Sequence, residues 1–126
     1  MKRQHLSALV LPALMFCAAA AGAEEGSVSG ELAAKCAAPG RPEIPNGRTA
    51  TEEEMLSAQK ALKSYLADGD TYIGCVDALE QSLGEEPTDE QRSVVLIFHN
   101  RMVDEMQATA DLFNQAVRAF KGKRGE

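Results

Sequence analysis

Cys36 and Cys75 are the residues of this chain whose side chains could carry redox chemistry. The sequence contains three cysteines, and the third, Cys17, lies in an apolar N-terminal run that we expect to be removed. A pair of cysteines in an exported chain usually forms a disulfide. A redox-active pair is the alternative, but such pairs are typically adjacent, as in Cys-x-x-Cys, and these two are far apart. The pattern therefore favours a structural disulfide between Cys36 and Cys75.

His99 is another residue whose side chain could do chemistry, as a general base or as a metal ligand. A base would need a nucleophile, and no Gly-x-Ser-x-Gly or comparable pattern is present. A metal site would need further His or Cys ligands, and both remaining cysteines are expected to be joined to each other. We therefore predict no catalytic residue, no metal site and no cofactor, and hence no enzyme. His99 is expected to lie in a helical seam, bonded to Tyr72.

Residues 1–23 have the organisation of a secretory signal peptide. A basic start precedes an apolar run over residues 6–20, and Ala21-Gly22-Ala23 fits the small-x-small rule for cleavage after Ala23. A lipoprotein signal at Cys17 is the alternative, but the bulky Phe16 occupies a position that takes small residues. We therefore predict a periplasmic or secreted protein that keeps no stable membrane span after signal cleavage.

The charge balance argues against nucleic-acid partners. Loss of Lys2 and Arg3 with the signal lowers the 13 basic residues to 11, against 19 acidic residues, for a net charge of −8. An acidic surface repels nucleic acid and anionic lipid. Residues 121–126 contain a basic cluster, which we interpret as a tail at a fraying helix end, where cations suit the helix dipole.

Residues 51–83 have the pattern of one long amphipathic helix. Thr51 followed three residues later by Glu54 is a capping-box signal. Asp68-Gly69-Asp70 interrupts the pattern, and a metal-binding or hinge loop is the alternative to a kink or a close contact with another element. The heptad rows, typical of a coiled coil, are Met55, Leu62, Gly69, Val76 and Leu83, and Ala58, Tyr65, Tyr72 and Leu79.

A second helix is predicted over residues 89–120, after a turn at residues 84–88. Thr88 with Gln91 forms another capping-box pattern, and apolar residues recur at heptad spacing as far as Phe120. Two helices of similar length joined by a short turn predict an all-α fold, an antiparallel two-helix hairpin. Residues 24–35 are small and polar, so we expect them to be disordered.

Residues 36–50 are predicted to be an extended, proline-rich strap. Pro39, Pro42 and Pro45 recur every third residue, the period of polyproline II. Along the helix, Cys75 lies about 36 Å from Thr51, and the segment spans about 46 Å if extended. It can therefore reach Cys75 only by running back, nearly extended, beside the helix. An exposed proline-rich ligand for an aromatic groove is the alternative.

The two helices carry more apolar surface than one seam needs. Binding of a protein partner, or pairing of two hairpins into a four-helix dimer, would cover the surplus. The surface predicted to bind such a partner comprises Tyr65, Tyr72, Leu96, Phe98, Met102 and Phe113.

One sequence pattern of this chain resembles that of known proteins. It consists of the run Cys36-x-x-Pro39-x-x-Pro42-x-x-Pro45-x-Gly47, followed by residues 51–55 and by Tyr72-x-x-Cys75. It resembles a group of small exported, disulfide-tied helical proteins of proteobacteria that have no established function. The resemblance covers most of residues 24–126. It implies export and a disulfide-tied helical hairpin, and it implies nothing about activity.

These features together favour an exported, periplasmic helical protein acting as a non-enzymatic structural or protein-interaction module. The alternative is a holdase, because residues 87–92 resemble the Leu-Thr-x-x-Gln motif of periplasmic stress chaperones, which are dimers of helical hairpins that shield unfolded clients. Here Pro87 replaces the leucine of the motif and no second copy is present. A capping box accounts for Thr88 and Gln91 without any chaperone.

Overall fold

The computed structural model describes residues 27–125, and that part of the chain folds into three α-helices and no β-strand. They are α1 (Val28–Lys35), α2 (Glu52–Ser82) and α3 (Asp89–Arg124). The predicted all-α class is therefore confirmed. The predicted signal peptide, with its cleavage site after Ala23, lies outside the described residues.

The two long helices begin at reciprocal side-chain caps. The hydroxyl oxygen of Thr51 accepts a hydrogen bond from the Glu54 N–H at 3.2 Å, and the Glu54 carboxylate accepts one from the Thr51 N–H at 2.7 Å. Thr88 and Gln91 exchange the equivalent bonds at the start of α3. Both predicted capping boxes are present, and each satisfies backbone donors that a helix start otherwise leaves free.

Helix α2 runs unbroken through Asp68-Gly69-Asp70. Gly69 is buried, and a Cβ at this position would overlap the side chain of Met106 on α3. The glycine therefore makes room for a long thioether from the facing helix, so neither a metal-binding loop nor a hinge is needed to explain it.

Contacts between α2 and α3 join early residues of one helix to late residues of the other. The Glu52 carboxylate lies 3.5 Å from the Arg124 guanidinium, Gly69 faces Met106, and the Asp77 carboxylate lies 2.9 Å from the His99 ring. The core lies between the helices at the predicted heptad positions of both. Its largest buried members on α2 and α3 are Met55, Leu62, Tyr65, Tyr72, Val76, Leu79, Val95, Met102 and Phe113.

The sequence predicts disorder over residues 24–35. Residues 24–26 lie outside the described part of the chain, and from Val28 onward the structure is helical instead. Helix α1 is capped by the Ser27 hydroxyl, and Leu32 is only 1% exposed. The composition of the segment is polar and small, which is why it predicts disorder. Leu32 and the half-buried Val28 pack against the core, and the Cys36–Cys75 disulfide ties the end of the helix to α2. Tertiary contacts therefore order a segment whose local helix propensity is weak.

The basic tail predicted to fray after Phe120 instead continues α3 to Arg124. The Lys123 ammonium donates a hydrogen bond to the Ala50 carbonyl and lies 4.5 Å from the centre of the Phe120 ring. Gly125, with a φ of 75°, ends the helix in the left-handed conformation. The lysine stabilises the helix end through a contact that is distant in sequence, and no local pattern encodes that contact.

Residues 36–46 contain no helix or strand, and a turn follows at Gly47. The predicted Cys36–Cys75 disulfide is confirmed, with the two Cα atoms 5.7 Å apart. The three prolines at every third position are half-buried, whereas most of the residues between them are exposed. Gly47 is buried so closely that a Cβ there would overlap the Ala116 carbonyl oxygen of α3.

Candidate functional site

The Cys36–Cys75 disulfide joins the end of α1 to the C-terminal half of α2. Cys36 is 5% exposed and belongs to the core, and Cys75 is half-buried beside it. Exchange with an external thiol requires access to a sulfur atom, so burial of Cys36 directs any attack to Cys75. The bridge is placed to tie the N-terminal segment to the helix pair.

His99 does not bond to Tyr72, so that prediction is wrong. Its Nδ1 lies 2.9 Å from an Asp77 carboxylate oxygen, on the half-exposed edge of the helix pair. Counting equal steps from the turn places His99 beside Tyr72 and Ile73. Side chains lean toward the N-terminus of their own helix, so in two oppositely directed helices His99 reaches toward the turn and Asp77 reaches away from it.

The His99–Asp77 pair has the arrangement of a base with its orienting carboxylate. A groove beside it is lined by charged, amide and apolar side chains from the ends of both helices and the connection between them. None of the lining residues is a serine, threonine, cysteine or second histidine that could serve as nucleophile or co-ligand. They are Asp77, Glu80, Gln81, Gly84, Glu85, Pro87, Arg92, Val95, Leu96, His99 and Asn100.

Four of the six residues predicted to form a partner-binding surface are buried. Tyr65, Tyr72, Met102 and Phe113 are between 3% and 9% exposed and pack in the core. They occupy the heptad positions that α2 and α3 turn toward each other, so they are not available to a partner. Phe98 is half-buried, and Leu96 alone of the six is exposed.

A second surface, which shares only Leu96 with the predicted partner-binding set, runs along one side of the two long helices. Leu56 and Leu96 are 56% and 58% exposed there, and the remaining apolar members are half-buried. On each helix these residues follow one another at three- or four-residue or heptad spacing, and they lie next to the row of core residues on the helix surface. This open face comprises Leu56, Lys63, Leu66, Asp70, Ile73, Asp77, Leu96, His99, Val103, Ala110, Asn114, Val117 and Lys121.

The opposite side of the helix pair is covered by the N-terminal segment. Residues 42–46 line a groove with Ser57, Ala58 and Ala61 of α2, and residues 41, 42 and 44–47 line one with Leu112 and its neighbours on α3. On each helix, those residues lie roughly 100–160° around the helix axis from the open face. The helix pair is therefore covered on one side by its own chain, and the open face is the other side.

Two side chains have pKa values displaced by their surroundings. A hydrogen bond from the Thr51 backbone N–H, helped by the Thr51 hydroxyl, lowers the pKa of Glu54 below 4.5. Burial raises the pKa of Tyr72 above 10.0, opposed by Arg101 and increased slightly by Glu105. A helix cap and a core position cause these shifts, so they are structural and do not point to acid–base catalysis.

None of the helices within residues 27–125 combines the length and the apolar character needed to cross a membrane. No protein-family model, no curated protein and no solved structure matches the chain, so any functional argument rests on the geometry above.

Proposed function

We propose that this chain is a non-enzymatic protein-interaction or structural module of the bacterial periplasm. In this proposal α2 and α3 form an antiparallel hairpin, and residues 36–50 form a strap that the Cys36–Cys75 disulfide holds against one side. The observation that carries the proposal is the open face. A helix pair that covers one long side with its own chain and exposes Leu56 and Leu96 on the other is suited to docking a second protein.

Export is part of the same proposal. A disulfide between cysteines 39 residues apart persists in oxidising compartments and is rare in the cytosol. Mass spectrometry of the exported protein without reductant would test this directly. We expect the mass of residues 24–126 less two hydrogens, and a mass that retains residues 1–23 or both thiols would contradict it.

The interaction role is tested with two adjacent residues of α3. Leu96 lies on the open face and is 58% exposed, and Ile97 lies outside it and is 59% exposed. We expect Leu96→Glu to abolish recovery of cross-linked partners from periplasmic extract and Ile97→Glu to leave recovery unchanged. Equal recovery by both variants would remove the open face as the docking surface.

The holdase alternative is supported by the exposed Leu56 and Leu96, because chaperones bind unfolded clients through exposed apolar surface. The Thr88 and Gln91 side chains are occupied in capping α3, so the motif resemblance adds nothing independent. A holdase would suppress the aggregation of an unrelated reduced protein at equimolar concentration. Suppression lost in Leu96→Glu and kept in Ile97→Glu would favour this alternative, and inactivity of the parent protein would exclude it.

A further inference from the structure

We propose that the occupant of the open face is a second copy of this chain, docked antiparallel about a two-fold axis that crosses both helices near Gly69 and Met106. This inference rests on the proposed function, because it names the partner of the same surface. It follows from the order of charges and apolar residues along the face.

The charges on the open face are segregated along its length. Asp77 lies in the half near the connection between α2 and α3, in a groove that Glu80 and the basic Arg92 also line, and Lys63 and Lys121 lie in the half near the other end. A second copy in the same direction would place acidic halves together and basic halves together. A reversed copy brings Lys63 against Asp77 and turns Lys121 toward the half that contains the acidic Glu85 and Glu86, although the residue directly opposite Lys121 is Arg92.

The apolar residues of α2 fix the centre of this pairing. In a two-fold arrangement, residues equally far from the axis on either side face one another. Lys63 and Asp77 are equally far from Asp70. Leu66 lies four residues before this centre and Ile73 three residues after it, so the two would come close to facing each other. Leu56 would lie opposite Gly84, beyond the end of α2.

The residues of α3 give a centre independently. Leu96 and Val117 lie equally far from a point beside Met106, and Val103 and Ala110 straddle the same point. Each apolar residue on α3 would therefore face another apolar residue. This centre lies at the same height as the one on α2, because Gly69 contacts Met106. A single two-fold axis can therefore pass through the pairing centres of both helices.

The area of the face is adequate for a stable dimer. Its residues span 56–77 on α2 and 96–121 on α3, or about 33–39 Å at 1.5 Å per residue. A width of two helices, about 18 Å, gives about 600–700 Å² per copy, at the lower end of the standard size for a specific interface. Two features oppose the pairing, since Asp70 would lie on the axis beside its own counterpart and Lys121 would lie opposite Arg92.

The first experiment is sedimentation equilibrium of the oxidised protein from 1 to 100 µM. We expect a dimer that Leu96→Glu weakens at least tenfold in Kd and that Ile97→Glu leaves unchanged. Lys63→Glu should weaken it roughly three- to tenfold, because two contacts with Asp77 turn repulsive. Adding Asp77→Lys to Lys63→Glu should restore it, and Asp70→Asn should tighten it by removing the like-charge contact.

The second experiment tests the axis directly with a short bis-maleimide, which reacts only with free thiols. Asp70→Cys should cross-link to a covalent dimer, and Asp68→Cys, which is exposed on another side of α2, should not. A monomer at 100 µM, or equal cross-linking by both variants, would overturn the proposed dimer. A monomer that still loses partners with Leu96→Glu would leave the proposed function standing, so the two failures are distinguishable.

Discussion

Tyr65 places its phenol ring in the core at 3% exposure, and within residues 27–125 its hydroxyl has no hydrogen-bond partner. A buried donor without a partner loses its hydration and gains nothing in return. We expect Tyr65→Phe to leave the free energy of unfolding unchanged or to raise it by up to about 1 kcal/mol. Urea denaturation followed by circular dichroism measures this, and a loss of more than about 1 kcal/mol would show that the hydroxyl is satisfied.

Ionisation of Tyr72 should make the free energy of unfolding depend on pH in the alkaline range. Burial raises the pKa of Tyr72 in the folded protein above the ordinary 10.0. The contribution of the neutral phenol to the free energy of unfolding is therefore complete below pH 10, and it is lost as pH rises through the folded pKa. We expect the free energy of unfolding to fall more steeply above pH 10 in the parent protein than in Tyr72→Phe. Tyrosinate absorbance and urea denaturation across pH 9–11 would show this, and parallel curves would refute it.

The contacts of individual side chains were harder to predict from the sequence than the helices were. The sequence places His99 at the edge of a seam, but the choice between Tyr72 and Asp77 depends on the lean of side chains in two opposed helices. The burial of Tyr65 and Tyr72 follows from their heptad positions. Assigning them to a partner surface was an error of interpretation, since a seam residue can face either the other helix of its own chain or a partner.

At the level of elements, Gly47 shows how closely the N-terminal segment approaches α3. A methyl group there would overlap backbone atoms of Ala116, whereas Gly40 has open space around it. We expect Gly47→Ala to reduce the free energy of unfolding by about 1–3 kcal/mol, the usual effect of overpacking. Gly40→Ala is the matched control and should change it little. Similar small effects for both would mean that the segment lifts away easily from α3.

The long elements were largely predictable because their signals are local and repeated. Two capping boxes mark the starts of α2 and α3, and the heptads carry each helix through its length. Helix α1 and the last turn of α3 were not predictable in this way. Each depends on contacts that are distant in sequence, among them those of Leu32 in the core and of Lys123 with the Ala50 carbonyl.

For the whole molecule, the Cys36–Cys75 disulfide should make a large contribution to stability that one substitution pair can test. It closes a loop between residues 39 apart, which the chain-entropy model values at roughly 3–4 kcal/mol. We expect Cys36→Ala with Cys75→Ala, or reduction of the parent, to lower the free energy of unfolding by about that amount. Denaturant titration of oxidised and reduced protein measures it, and a difference below about 1 kcal/mol would contradict the prediction.

The disulfide also determines whether the fragments of a proteolytic cut stay attached to each other. Arg48 is exposed in the turn that follows Gly47 and lies inside the loop that the two sulfur atoms close. Hydrolysis of the peptide bond after Arg48 would leave both fragments covalently attached, one water heavier in mass than the uncut chain. Electrophoresis without reductant would show one band, and only dithiothreitol would release the shorter piece.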